Sequence, residues 1–253
     1  MSPEGASAPP GGIFFVGATA LAKKQIQKRW GLQWMVTNSE TKILVIGAGG
    51  IGSLLTLHLA RAISYSQWDY DVIEITLMDG DVVEERNLPH QQFTPEDIGK
   101  SKVNALERYI CNQSEYLQYI PISNNFSTDT DISKYDLIVV AVDREEPRQL
   151  VREKANNWLE LRATGDGCLI WSNLDEIEVL RLFPKLSPGK SASCQHENAV
   201  ETGNIQFGFA LAAAHGAQWI IQWLRFSLVP PGRTYTIHMG ELPLPRIVEV
   251  LEE

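Results

Sequence analysis

"TKILVIGAGGIGSLLTLHLARAI" (residues 41–63) decides the fold. After Thr41 and Lys42 come four apolar residues, Ile43, Leu44, Val45 and Ile46, the signature of a strand buried on both faces. From Ile51 onward the apolar residues fall on helical spacing. Between strand and helix, Gly47, Gly49 and Gly52 stand in G-x-G-x-x-G register, with Gly50 inside the loop. The first glycine permits a tight turn, the second a close approach of backbone to phosphate, and the third close helix–strand packing. The helix start beyond them offers unpaired N–H groups and a partial positive charge to an anion. A nucleotide site built on Gly47, Gly49, Gly50 and Gly52 is therefore expected.

Working outward, "VIEITLMD", "LQYIPI" and "YDLIVVAVD" read as further strands, and "KSKVNALERYIC" as a helix. "PRQLVREKANNWLELRA" (147–163) reads as one helix with Pro147 in its first turn. "GCLIWSN" and "EIEVLRLFP" read as two strands joined by a turn around Asp175 and Glu176. The polar segment of about residues 185–203, poor in periodicity, is a long crossover loop of the kind that usually carries function. A long apolar helix near 205–226 and a strand "TYTIHMG" complete the pattern. Strands alternating with helices predict an α/β, Rossmann-like fold: a mostly parallel sheet, helices on both faces, C-terminal strands added. Residues 1–12, rich in Pro, Gly and Ser, are expected to be a disordered tail, and 13–253 a single domain.

The chain has 253 residues, with 44% hydrophobic and 21% charged, ordinary globular values that permit a substantial core. A net charge of −9 and a pI near 5.1 disfavour nucleic acid and anionic membrane as partners. The three cysteines, Cys111, Cys168 and Cys194, form no C-x-x-C pair. A four-thiolate zinc site within one chain is thereby excluded, and a reducing, cytoplasmic compartment is the natural reading. Gln206, His215, Gln218, Gln222 and Arg225 interrupt the apolar helix, which favours burial over membrane insertion.

The second strand ends in "LMDGDVVEERNLPHQQF" (77–93). Asp79 stands where a nucleotide-binding fold puts the acid that holds a ribose. It lies further from the glycine loop than a dinucleotide fingerprint expects, because residues around "YSQWDYD" are inserted. On these features alone, an NAD-linked oxidoreductase and an ATP-using enzyme both remain open.

Asp79 and Asp81, then Asn87-Leu88, then Gln91, then Gly99-Lys100-Ser101-Lys102-Val103, with Asp143 and Arg148 at the end of the fourth strand, form an ordered set. This set resembles the ThiF/MoeB/HesA superfamily, which includes the ubiquitin-activating enzymes. The resemblance implies ATP and magnesium as cofactors. The substrate would be the C-terminal carboxylate of a ubiquitin-like protein, and the product an acyl-adenylate. By the same resemblance Asp79 would bind the ribose, Lys102 the phosphates and Asp143 the magnesium. Asn87 and Gln91 would sit beside the α-phosphate, Asp81 near the phosphates or holding its loop, and Arg148 among the nucleotide contacts. The sequence departs from the family at His90, where an arginine usually touches the ATP phosphates. A protonated His90, Arg86 or another arginine is expected to stand in.

Cys194, in "KSASCQHENAV", resembles the thioester cysteine carried on the crossover loop of activating enzymes; His196 stands two residues on. Cys168 and Cys111 read as core, and His215 and His238 as structural residues. The absence of paired C-x-x-C ligands points to a compact, bacterial-type member without zinc. Transfer from Cys194 to a conjugating-enzyme-like protein is the leading expectation. The alternatives are adenylation without a thioester, as in sulfur-carrier activation or tRNA-modifying dehydratases, and a noncatalytic partner. The resemblance also implies a homodimer, with Arg29 as the candidate to reach the partner's ATP.

Overall fold

A computed structural model describes residues 40–68, 72–110, 114–175, 195, 198–225 and 228–243. They belong to one compact unit, residues 38–253, so the expected domain start at 13 and Arg29 lie outside the described residues. Five strands pair in parallel: β1 (Glu40–Ile46), β2 (Val72–Met78), β3 (Leu117–Ile122), β4 (Leu137–Val140) and β5 (Trp158–Thr164). Three more, β6 (Gly167–Ser172), β7 (Arg233–Thr236) and β8 (Gly240–Pro243), extend the sheet antiparallel, giving the order β3-β2-β1-β4-β5-β6-β7-β8.

Helix α1 (Gly50–Ser64) carries the chain from β1 to β2, and α3 (Glu145–Lys154) from β4 to β5. The first connection moves along the sheet in one direction and the second in the other, so right-handed crossovers put α1 and α3 on opposite faces. On the α3 face, Leu44, Ile46, Ile138 and Val140 pack with Val151 and the edge-to-face pair Trp158 and Trp171. Helix α4 (Gly208–Leu224) packs against α1 and over β5 and β6. It lies close because Gly216 faces Leu161; a Cβ there would sit 2.5 Å from Leu161 Cδ1. Helix α2 (Lys102–Ile110) covers β3. Among the described residues, no helix is long and apolar enough to cross a membrane.

The α/β, mostly parallel architecture is as the sequence predicts. The helix expected over 147–163 is corrected. It ends at Lys154, Ala155 turns extended (φ −93°, ψ 138°), and 158–164 is strand β5. Asn156 and Asn157 break the helix, since their side chains compete with helical backbone bonds. Pairing with β4 then outweighs the helical propensity of Leu, Glu and Arg. Consequently β6 forms its hairpin with β5 through Gly165 and Asp166; the strand expected over 176–184 lies outside the described residues. Asp175 does form a turn, accepting from the Ser172 N–H at 2.9 Å and the Gly232 N–H at 2.7 Å. The strand expected over 234–240 stops at Thr236, turns, and resumes as β8 from Gly240 (φ +77°).

The β1–α1 junction needs two of its glycines for steric reasons. Gly47 has φ +100°, and a Cβ there would lie 2.8 Å from the Ala141 carbonyl oxygen. A Cβ on Gly52 would overlap the carbonyl of Gly47. Gly52→Ala is expected to destabilise the fold by ~1–3 kcal/mol, the usual range for overpacking, measured by urea denaturation. A loss under about 0.5 kcal/mol would show that helix α1 has room to withdraw from the turn.

Candidate functional site

Three strand ends converge at the point where the sheet order reverses. Beyond β1, the Gly47 N–H donates to the Met78 carbonyl at 2.8 Å, and the Ala141 N–H donates to the Ile46 carbonyl at 2.8 Å. The ends of β2 and β4 thus flank the glycine turn. Such a switch point leaves a crevice outside the carboxyl ends of the strands, where open α/β sheets bind ligands. Gly49 is the N-cap of α1 and provides no side-chain cap. A Cβ at Gly49 would meet nothing within 4 Å, so the helix start faces open space.

Asp79 ties the crevice together. Its Oδ2 accepts from the Ala48 N–H at 2.6 Å, and its Oδ1 from the Asp81 N–H at 2.8 Å. Each oxygen keeps a further lone pair for a ligand hydroxyl. The loop after it folds back on itself: an isolated bridge pairs Val82 with Ser101, and the Lys102 N–H donates to the Asp81 carbonyl at 3.0 Å.

Lys102 opens α2 but is not solvated. It is 6% exposed, and its Nζ lies 2.9 Å from the exposed Asp81 carboxylate. Nearly all the stem is inside, and among the described residues the head has a single ion-pair partner, at the rim. A buried ammonium requires such a partner. Asn87 is buried and caps the short turn Glu85–Asn87, accepting from the Glu84 N–H at 2.8 Å. Its carbonyl receives the Gln91 N–H at 2.9 Å.

His90 corrects one expectation. It is 9% exposed, edge-on to Phe209 at 6.3 Å, with its backbone carbonyl against Gly50. Burial, and then the charge of Lys102, hold its imidazole below the usual 6.5. This shift favours the neutral ring in the ligand-free protein. Its Nδ1 and the Oε1 of Gln91 are buried without a partner among the described residues. Arg86 is exposed and pairs with Glu84 at 2.5 Å.

Asp143 lies half-buried just past β4 and before α3. It is not the helix N-cap; Arg144 is, without a side-chain bond. Arg148, expected among nucleotide contacts, is turned into the scaffold. It is 4% exposed and donates from Nε at 3.1 Å and Nη2 at 2.6 Å to the Val142 carbonyl. Around it lies a network that sequence reasoning missed: Glu145 and Glu160 with Arg148, Arg152 and Arg162. Glu160 is 1% exposed. Burial opposes ionisation of Glu145, but Arg152, Arg162 and Arg148 hold its carboxyl below the ordinary range. The signal for this network was Glu160 inside an apolar run, concealed by the helical reading.

Cys194, Cys111 and His196 lie outside the described residues. Gln195, beside Cys194, is buried, and its amide both donates to the Gln206 carbonyl at 2.7 Å and accepts from the Gln206 N–H at 2.8 Å. Cys168 is core, as expected, with burial pushing its thiol up to about 11. His215 and His238 do have partners: His215 stacks on Tyr235 at 4.0 Å, and His238 pairs with Asp166 at 3.0 Å. Among the described residues no three His, Cys, Asp or Glu side chains could together hold a metal ion.

Comparison with known proteins agrees with this geometry. Residues 22–236 match the ThiF family, and the chain belongs to that family. It is 32% identical over 137 residues to adenylyltransferase and sulfurtransferase uba4 of Emericella nidulans, covering 53% of this chain and 27% of the relative. It is 31% identical over 137 residues to UBA4 of Saccharomyces cerevisiae, covering 52% and 29%. The chain thus spans under a third of these relatives' length. Among solved structures it resembles E. coli MccB with ATP (TM-score 0.55, 21% identity, covering 81% of this chain and 64% of that one). It also resembles PaaA (TM-score 0.56, 16% identity, covering 83% and 65%). These two likenesses concern the fold.

The imidazoles of His90 and His215 give acid sensitivity a definite sign. His90 and His215 are both lowered, in each case first by burial. Below about 6.5 the unfolded chain takes up protons that the folded chain refuses. Their contribution is complete above that value and is lost as pH falls toward the folded values. Urea denaturation from pH 7.5 to 5 should show His90→Phe reducing the loss of stability on acidification, and His90→Phe/His215→Phe reducing it further. Slopes equal to wild type in both variants would show that these rings do not couple to folding.

Proposed function

We propose that the chain is an ATP-dependent adenylyltransferase that activates the C-terminal carboxylate of a ubiquitin-like protein or peptide. The observation that carries this reading is the chain of contacts that joins the helix start at Gly49 to the Asp79 carboxylate, Asp81 and the buried Lys102, with Asp143 just past the end of β4, the strand beside β1. A hydride-transfer site has no need of Lys102 and Asp143 in these positions. The family match, and relatives named as adenylyltransferases, support the same reading.

In the proposed reaction a carboxylate oxygen of the substrate attacks the α-phosphorus of ATP. A new C(O)–O–P bond forms, the bond from the α-phosphorus to the bridging oxygen breaks, and pyrophosphate leaves. Asp79 would accept from the ribose hydroxyls, and the N–H groups after Gly49 would face phosphate oxygens. Lys102 would exchange Asp81 for the phosphates, countering charge that builds up as pyrophosphate departs. Asp81 would thereby hold the ammonium in place until the nucleotide arrives. Asn87 and Gln91 would border the α-phosphate. Magnesium fits this donor set, since one carboxylate, Asp143, together with nucleotide phosphates is a usual way to bind it. It would neutralise phosphate charge.

In the second stage the Cys194 thiolate would attack the acyl carbon, forming a thioester and releasing AMP. The doubly bonded Gln195 supports this, because it anchors the residue next to Cys194 to Gln206, two residues before α4. Transfer to a conjugating-enzyme-like protein and a homodimeric assembly complete the proposal. The curated relatives' sulfurtransferase name favours one second reading, adenylation of a sulfur carrier without a thioester on Cys194.

Two measurements test the reading. ATP–pyrophosphate exchange driven by the carrier should fall at least roughly a hundredfold in Lys102→Ala, the scale of lost transition-state charge stabilisation. Carrier, ATP and magnesium should give a thiol-sensitive adduct in wild type and none in Cys194→Ser. An adduct surviving in that variant overturns the cysteine assignment, and full exchange in Lys102→Ala overturns the site.

A further inference from the structure

We infer that Arg148 and Glu160 form a buried clamp that sets the position of Val142 and Asp143, and so act as positioning residues for the nucleotide site. The inference rests on the nucleotide and magnesium reading of Asp143 given above.

The clamp begins at one carbonyl. Two N–H groups of the Arg148 guanidinium, on Nε and Nη2, converge on the Val142 oxygen at 3.1 and 2.6 Å. A carbonyl oxygen has two lone pairs, so this single planar group fixes its direction as well as its distance. The same guanidinium meets Glu160 at 3.6 Å and Glu145 at 3.6 Å. Glu160 is in turn gripped by Arg152 Nη1 at 2.7 Å and by Arg162. The far end of the clamp therefore sits on β5, a strand fixed by parallel pairing to β4 and antiparallel pairing to β6.

Val142 is the residue through which this matters. On one side a Cβ at Gly47 would lie 2.8 Å from Val142 Cγ1, so Val142 bounds the glycine turn. On the other side its immediate successor is Asp143. The segment that joins them lies outside regular structure: β4 ends at Val140 and α3 begins at Glu145. The last ladder bond before it is Ala141 N–H to Ile46 O at 2.8 Å. Beyond that bond, Arg148 holds the Val142 carbonyl.

Stability alone is a weak reason for such a network. Buried ion pairs generally give no more than well-packed apolar residues of similar volume, because desolvation offsets the attraction. What they add is direction, and here the direction is given to the carbonyl preceding Asp143. Lysine keeps the charge of Arg148 but has one compact head in place of a planar fork, so it cannot hold carbonyl and carboxylates together.

The test uses the full chain, with and without nucleotide. Hydrogen exchange of the ligand-free protein should show residues 141–144 exchanging at least roughly fivefold faster in Arg148→Lys, with α1 and β1 unchanged. ATP binding is then measured by calorimetry in magnesium and in EDTA. Wild type should bind more tightly with magnesium. Arg148→Lys should lose most of that gain while its affinity in EDTA stays within about twofold. Because the effect passes through Asp143, Arg148→Lys should remove no further magnesium gain in an Asp143→Asn background. Glu160→Gln, which keeps the shape of the side chain, should give the same pattern in weaker form and serves if Arg148→Lys does not fold. Unchanged exchange at 141–144, or a full magnesium gain in both variants, overturns the clamp. An equal loss of affinity in EDTA and in magnesium also overturns it, since that is what a merely structural role would give. Wild type that binds ATP without any magnesium gain instead overturns the role of Asp143, and wild type that binds no ATP overturns the nucleotide reading.

Discussion

The Asp79 carboxylate accepts the Ala48 N–H with one oxygen and the Asp81 N–H with the other. The rest of the site depends on this pair of bonds. Charge-assisted bonds from backbone N–H groups to a carboxylate are among the stronger ones a protein makes. Here they couple the end of β2 to the turn after β1 and start the loop that leads to Lys102. Without them the glycine turn and the loop would be separate surface features. With them, Gly49, Asp79, Asp81 and Lys102 are held in one crevice, and Arg148 fixes the opposite wall at Val142.

In the proposed reading, the electrostatics of the crevice suit an incoming anion. Lys102 is almost wholly buried, yet among the described residues its ion partner is an exposed carboxylate at the rim. Burial, and then the charge of Lys102, hold the His90 imidazole beside it below its usual value, which favours the neutral ring. A second permanent cation at His90 would raise the cost of burying both, so the neutral ring suits the ligand-free state. The price is a histidine Nδ1 and a Gln91 oxygen buried without partners among the described residues.

Much of this was legible in the sequence. The strand–glycine–helix stretch from Thr41 to Ile63 identified the first βαβ unit because local pattern and tertiary role agree there. Asp79, Lys102 and Asp143 could be placed by motif order. Three features could not. Residues 158–164 are built from good helix formers, and only pairing with β4 makes them a strand. Glu160 and Arg148 look like solvated helix charges until that strand is known. The packing of the His90 ring depends on Phe209, which comes from a distant part of the chain. In each case the missing information was a long-range contact, which no local window contains.

The central claim is that the turn from Gly47 to Gly52 is a phosphate cradle for ATP. Titration of isotope-labelled protein followed by NMR tests it most directly. ATP should shift the backbone amides of Gly49, Gly50 and Ile51 in a saturable way, while NAD at the same concentrations leaves them in place. ATP shifts confined to other parts of the chain, or equal shifts with NAD, would contradict the account.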